Sequence, residues 1–168
     1  EMYKVFTPFK NAWLRRLKEG LPECAAAPAG REGEKVTLET LEFDYPQQAF
    51  DADLFPASEK EAIARLRQFC QQSAGDYETQ RDFPAIEGTS RLSACLALGV
   101  LSPRQCLHRL LAEQPQALEG GPGSVWLNEL IWREFYRHLM TYHPDLCKYQ
   151  PFIRWTDNVQ WQADETQL

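Results

Sequence analysis

Val125-Trp126-Leu127-Asn128-Glu129-Leu130-Ile131-Trp132-Arg133-Glu134-Phe135-Tyr136-Arg137-His138-Leu139 carries two patterns at once. Leu127, Leu130, Ile131, Phe135 and Leu139 recur at helical spacing and supply a face to bury. Glu129, Trp132, Arg133 and Tyr136 stand at i, i+3, i+4 and i+7 and form a second stripe of carboxyl, indole, guanidinium and phenol. The spacing predicts a helix from about Ser124 to Tyr142, stopped at His143-Pro144. Such a stripe can stack on a base, hydrogen-bond its edge and hold a phosphate. It equally fits an amphipathic helix with an ion pair and interfacial aromatics.

Working outward, the helical pattern extends back to Ser58. Ser58 and Glu61 have capping-box spacing, and Ile63, Leu66, Phe69 and Cys70 follow as one apolar stripe. A short helix is expected from about Gly75 to Asp82, stopped by Phe83-Pro84, with Tyr77 and Arg81 at i, i+4. Another begins at Thr89 or Ser90, turns Leu92, Cys95 and Leu96 inward and closes at Gly99. Ser102-Pro103-Arg104-Gln105 joins a serine cap, a first-turn proline and a return glutamine, and Leu107, Leu110 and Leu111 give the buried face. Gly120 to Gly123 is a loop. The fold class is therefore all-α.

Before Ser58 the text changes. Thr7-Pro8 is a good helix start, Trp13 and Leu17 share a face, and Gly20 ends the run. From Gly20 to Pro56 the chain has four prolines, three glycines and one short alternation at Val36-Thr37-Leu38. That stretch reads as a connector over a surface.

Composition narrows the classes. Hydrophobic residues make up 43% and charged residues 25%, the balance of a globular protein. No stretch approaches the roughly 20 apolar residues of a bilayer span, and no secretory leader is visible. A chain opening on Glu1 rather than Met suggests a segment of a longer protein. The five cysteines, Cys24, Cys70, Cys95, Cys106 and Cys147, are widely spaced without a C-x-x-C pair. They read as buried, reduced thiols of a cytosolic protein, neither zinc ligands nor a disulfide framework. His108, His138 and His143 share no metal spacing. A net charge of −6 and a pI near 5.1 oppose a general nucleic-acid coat, so any DNA contact must use a local basic patch. Signals for P-loop, dinucleotide-fold and serine-hydrolase chemistry are missing.

A further candidate is Glu87-Gly88-Thr89-Ser90-Arg91-Leu92-Ser93. Free backbone N–H groups at a helix start, hydroxyls and a guanidinium suit a pyrophosphate, and Gly88 permits close approach. Thr and Ser at a helix start also serve as plain caps.

Taken in order, these motifs resemble one family. Tyr77-x-x-x-Arg81-Asp82-x-Pro84, Gly88-Thr89-Ser90-Arg91-Leu92-Ser93, Gly99-x-Leu101-Ser102-Pro103-Arg104 and Trp126-Leu127-x-Glu129-Leu130-x-Trp132-Arg133-Glu134-Phe135-Tyr136 resemble the DNA photolyase/cryptochrome family, most of all its enterobacterial class I cyclobutane-dimer branch. Tyr3-Lys4-Val5-Phe6-Thr7-Pro8-Phe9 is similar to that family's exit from its antenna domain, so the resemblance covers the whole chain. It implies that residues 1–57 are the end of the antenna domain and an interdomain connector. Residues 58–168 would be the first half of a helical FAD- and DNA-binding domain. The antenna α/β sheet and the second half of the flavin domain have no counterpart within these residues.

The resemblance also implies roles. Tyr77, Thr89, Ser90, Arg91, Leu92, Ser93 and Trp126 match flavin contacts, the middle five holding the diphosphate of a bent FAD. Arg81, Glu129, Trp132, Arg133 and Tyr136 match the DNA face, where Glu129 and Trp132 meet a flipped pyrimidine dimer. Cys147 and Lys148 match positions near a reduced-folate antenna (methenyltetrahydrofolate). Trp161 matches the outer tryptophan of an electron-transfer chain. The implied activity is light-driven dimer repair by a monomeric cytoplasmic bacterial enzyme, and no metal is implied. A cryptochrome-like light sensor and a non-catalytic helical interaction module are the alternatives.

Overall fold

The computed structural model describes residues 2–26, 51 and 58–160. Among the described residues six α-helices run α1 Phe6–Glu19, α2 Glu59–Gln72, α3 Tyr77–Gln80, α4 Ser93–Leu98, α5 Pro103–Glu113 and α6 Ser124–Tyr142. Single 3-10 turns cover Pro115–Glu119, Pro144–Lys148 and Arg154–Asn158. No strand occurs among the described residues, so the fold is all-α there. No helix among them is long and apolar enough to cross a membrane.

The chain divides into two compact units, Glu1–Glu19 with Asn128–Leu168, and Gly20–Leu127, and the division falls inside α6. In the second unit α2 packs on α5. Ala62, Leu66, Phe69 and Cys70 of α2 and Cys106, Leu107 and Leu110 of α5 are buried there. Gln71 Nε2 donates to Glu113 Oε1 at 3.1 Å and ties the outer edges of the pair. α5 also holds the chain after Gly20: Arg104 donates to the Glu23 carbonyl at 3.1 Å, and His108 Nε2 lies 2.7 Å from the Pro22 carbonyl. Burial pushes the Cys70 thiol up to about 12, with neighbouring Cys106 adding to the rise.

The caps explain the helix ends. Ser102 accepts from the Gln105 N–H at 3.2 Å while Gln105 Oε1 accepts from the Ser102 N–H at 2.8 Å, a complete capping box. At α2, Ser58 Oγ accepts from the Glu61 N–H at 3.2 Å, but the Glu61 carboxylate takes the Ser58 hydroxyl proton instead of the backbone one. Gly99 ends α4 at φ 76, a left-handed turn that glycine enters without Cβ strain.

Several local expectations shift. α1 starts at Phe6, so Thr7 lies inside the first turn and is not its cap. The short helix occupies only Tyr77–Gln80. α4 begins at Ser93 and not at Thr89 or Ser90, because Arg91 takes φ 50, outside the right-handed helical region. Cys70, Cys95 and Cys106 are buried, whereas Cys24 and Cys147 are exposed. The alternation at Val36-Thr37-Leu38 lies outside the described residues, and the expected boundary at 57/58 borders the undescribed residues 52–57.

In the other unit an aromatic cluster joins α1 to α6. Phe9 lies 5.3 Å from Phe135, and the Tyr3 N–H donates to His138 Nε2 at 2.9 Å. Leu17, Leu130, Ile131 and Phe135 are its buried side chains.

Candidate functional site

Within Gly20–Leu127, one side of α2 and the segment 87–91 enclose an open groove of about 250 Å³. Arg65, Gln68, Phe69 and Ser73 come from α2 and its C-cap, and Glu87, Thr89, Ser90 and Arg91 from the segment. The α2 residues follow helical spacing, which sets them on one face. The segment is fixed at both ends. Leu92 is buried in the core at 1% exposure. Gly88 is pressed against α3, where a Cβ would stand 2.5 Å from Gln80 Cβ. Gly88 therefore does permit a close approach, but to a neighbouring helix.

Arg91 combines its left-handed φ of 50 with an ion pair, Nη2 to Glu87 Oε1 at 2.9 Å. A non-glycine residue in that region costs on the order of 1 kcal/mol. The groove thus offers two guanidiniums, three hydroxyls, an amide and a single carboxylate. In a chain of net charge −6 this is a local concentration of anion-binding groups.

Phe69 links the groove to the other predicted cofactor residues. Its ring lies 4.9 Å from buried Trp126 and meets Tyr77 edge-on at 5.9 Å. The Arg81 guanidinium sits 5.7 Å from the Tyr77 ring centre, a cation–π contact, and pairs with Asp82 at 3.8 Å. Thr89, Ser90, Arg91, Tyr77 and Trp126 thus gather around one phenylalanine. Leu92 and Ser93 do not line the groove: Leu92 faces the core, and exposed Ser93 opens α4. Arg65, Gln68, Phe69 and Ser73 were not singled out as site residues in the sequence. The signal for Phe69 is the apolar stripe of α2 itself, and for Arg65, Gln68 and Ser73 the polar edge beside it.

The stripe on α6 belongs to the other unit. Glu129, Trp132 and Arg133 are half-buried and Tyr136 is 57% exposed. Trp132 does not stand alone. Phe6 stacks on it at 3.5 Å between centroids and 5° between planes, and Tyr136 follows at 5.6 Å and 25°. Arg133 and Arg137 both reach Glu134 Oε1, at 2.9 and 3.4 Å. Sequence spacing identified the stripe but not Phe6 or the Glu134 bridge.

Cys147 and Lys148 are exposed on the 3-10 turn Pro144–Lys148. A groove of about 440 Å³ beside that turn is lined by His143, Asp145, Phe152 and Arg154 among others, but not by those two residues. The His143 ring meets Phe152 edge-on at 5.0 Å. Trp161 lies outside the described residues.

No protein-family model matches the chain. Curated relatives do. The deoxyribodipyrimidine photo-lyase of Escherichia coli strain K12 is 70% identical over 100% of this chain and 36% of its own length. That of Salmonella typhimurium strain LT2 is 70% identical over 98% of this chain and 35% of its own length. That of Vibrio cholerae serotype O1 is 41% identical over 98% of this chain and 36% of its own length. The chain spans about a third of the length of these relatives. With such identity sustained along its whole extent, the chain belongs to the deoxyribodipyrimidine photolyase family.

Proposed function

We propose that the protein carrying this chain repairs cyclobutane pyrimidine dimers in DNA, using light and a bound FAD. The observation that carries the reading is 70% identity to a deoxyribodipyrimidine photo-lyase across all of these residues. The residues of the groove also fit the cofactor. Arg91, Thr89 and Ser90 are the donors a diphosphate needs, and Trp126, Phe69 and Tyr77 supply flat apolar surface near it.

FAD, when bound, would supply the light-driven electron that opens the cyclobutane ring. The chain's own part is binding and orientation. Thr89 to Ser93 and Tyr77 would hold the cofactor, with Leu92 and Ser93 acting through their backbone and Trp126 as a buried wall. Arg81 and Arg133 would contact the DNA backbone near the lesion. Glu129 would hydrogen-bond an extruded pyrimidine, and Trp132 and Tyr136 would pack against it. Extrusion costs least where damage has already weakened the pairing. Cys147 and Lys148 would lie near a reduced-folate antenna, and Trp161 would relay electrons to the flavin. The protein would act as a cytoplasmic monomer.

The test is a repair assay on the full-length protein with an oligonucleotide containing one thymine dimer. Dimer loss under blue light and none in the dark is expected. Flavin-containing protein that leaves the dimer intact under illumination would overturn the reading.

A further inference from the structure

The groove has two walls, and the polar side chains of only one of them have so far been given a role. The wall of segment 87–91 brings Arg91 and two hydroxyls. The wall of α2 brings Arg65, Gln68 and Ser73. Arg65 is half-buried on a helix, so its guanidinium is positioned by a rigid element and not by a loop. A diphosphate carries two negative charges at neutral pH, and one guanidinium already engaged with Glu87 leaves them under-compensated. The pair it makes with Glu87 is exposed, 46% on the arginine and 84% on the glutamate, so an incoming anion displaces the carboxylate at little cost.

We infer that Arg65, with Gln68, is a second anchoring group for the cofactor diphosphate, and that Glu87 competes with that diphosphate for Arg91. This rests on the flavin reading above. Arg65 is a binding residue in this role, and Glu87 sets the affinity by occupying Arg91 in the absence of ligand. No covalent bond is made or broken.

The experiment uses full-length apoprotein titrated with FAD and with riboflavin, which lacks the diphosphate, followed by flavin fluorescence. Arg65→Gln should weaken FAD binding about 10-fold and leave riboflavin binding unchanged. Arg65→Lys should recover part of the loss, since charge is kept but the planar fork is not. Glu87→Gln, a change at an exposed side chain that leaves folding intact, should tighten FAD about 3-fold without affecting riboflavin. Wild-type-like FAD affinity in both Arg65→Gln and Glu87→Gln overturns the inference while the flavin reading stands. An equal loss of FAD and riboflavin in Arg65→Gln, with no gain in Glu87→Gln, makes Arg65 structural and also overturns it. Wild-type protein that binds no FAD removes the flavin reading itself.

Discussion

Cys70 shows how far burial can set the chemistry of one side chain. Its side chain is fully buried and its thiol is pushed up to about 12 from a usual 9.0. Above pH 9 the unfolded chain releases this proton and the folded chain keeps it. Stability is therefore unaffected below pH 9 and falls as pH rises from about 9 towards 12. Urea midpoints of wild type should drop more steeply across pH 9 to 11 than those of Cys70→Ala; parallel slopes would refute this. Other single residues were only partly legible. Trp132 could be placed on a stripe because its neighbours i−3, i+1 and i+4 are local. Its stacking partner Phe6 could not, because a contact across so much sequence leaves no periodic trace. Gly88 was readable as a point of close approach, and its partner Gln80 was not, because the bend between them depends on the turns after Gln80.

At the level of elements, the sequence was clearest where side chains close backbone hydrogen bonds. Ser102 and Gln105 sit at the ends of their own box, and α6 spans Ser124–Tyr142 as its periodicity required. Ser102→Ala should cost about 1 kcal/mol, and Ser58→Ala less, since the α2 cap lacks the reciprocal backbone bond. Chemical denaturation of the two variants would check the order. The 3-10 turns Pro115–Glu119 and Pro144–Lys148 were not legible, and these two share one cause. Gln114 and His143, each before a proline, both adopt φ −129 and ψ 67, and the turns end on left-handed Gly120 (φ 85) and Tyr149 (φ 60). A proline that stops a helix by excluding its predecessor from the helical region also starts a fresh turn with its own fixed φ. Read as a breaker alone, it hides half its effect. The α4 start was missed for a similar reason: Arg91 breaks the helical path that hydroxyls at Thr89 and Ser90 would otherwise cap.

Across the whole molecule, buried side chains are unevenly shared. Leu92, Leu101, Leu110 and Leu127, all but inaccessible to solvent, lie in Gly20–Leu127, while the other unit has Ile131 at that level of burial. Amide exchange should accordingly be slowest in α2 and α5 and fastest in α1 and the turns at 144–158. Uniform protection would contradict this. Family membership was legible in four ordered motifs, whereas the groove between α2 and residues 87–91 was not, since it is made by packing and not by spacing. The unit that joins α1 to the far part of α6 is built from the two ends of the described chain. During synthesis the phenylalanines of α1 leave the ribosome roughly 125 residues ahead of the rings they pack against. At ordinary translation rates that is a wait on the order of ten seconds. Over that interval Phe6 and Phe9 are natural clients for a chaperone that shields apolar nascent segments.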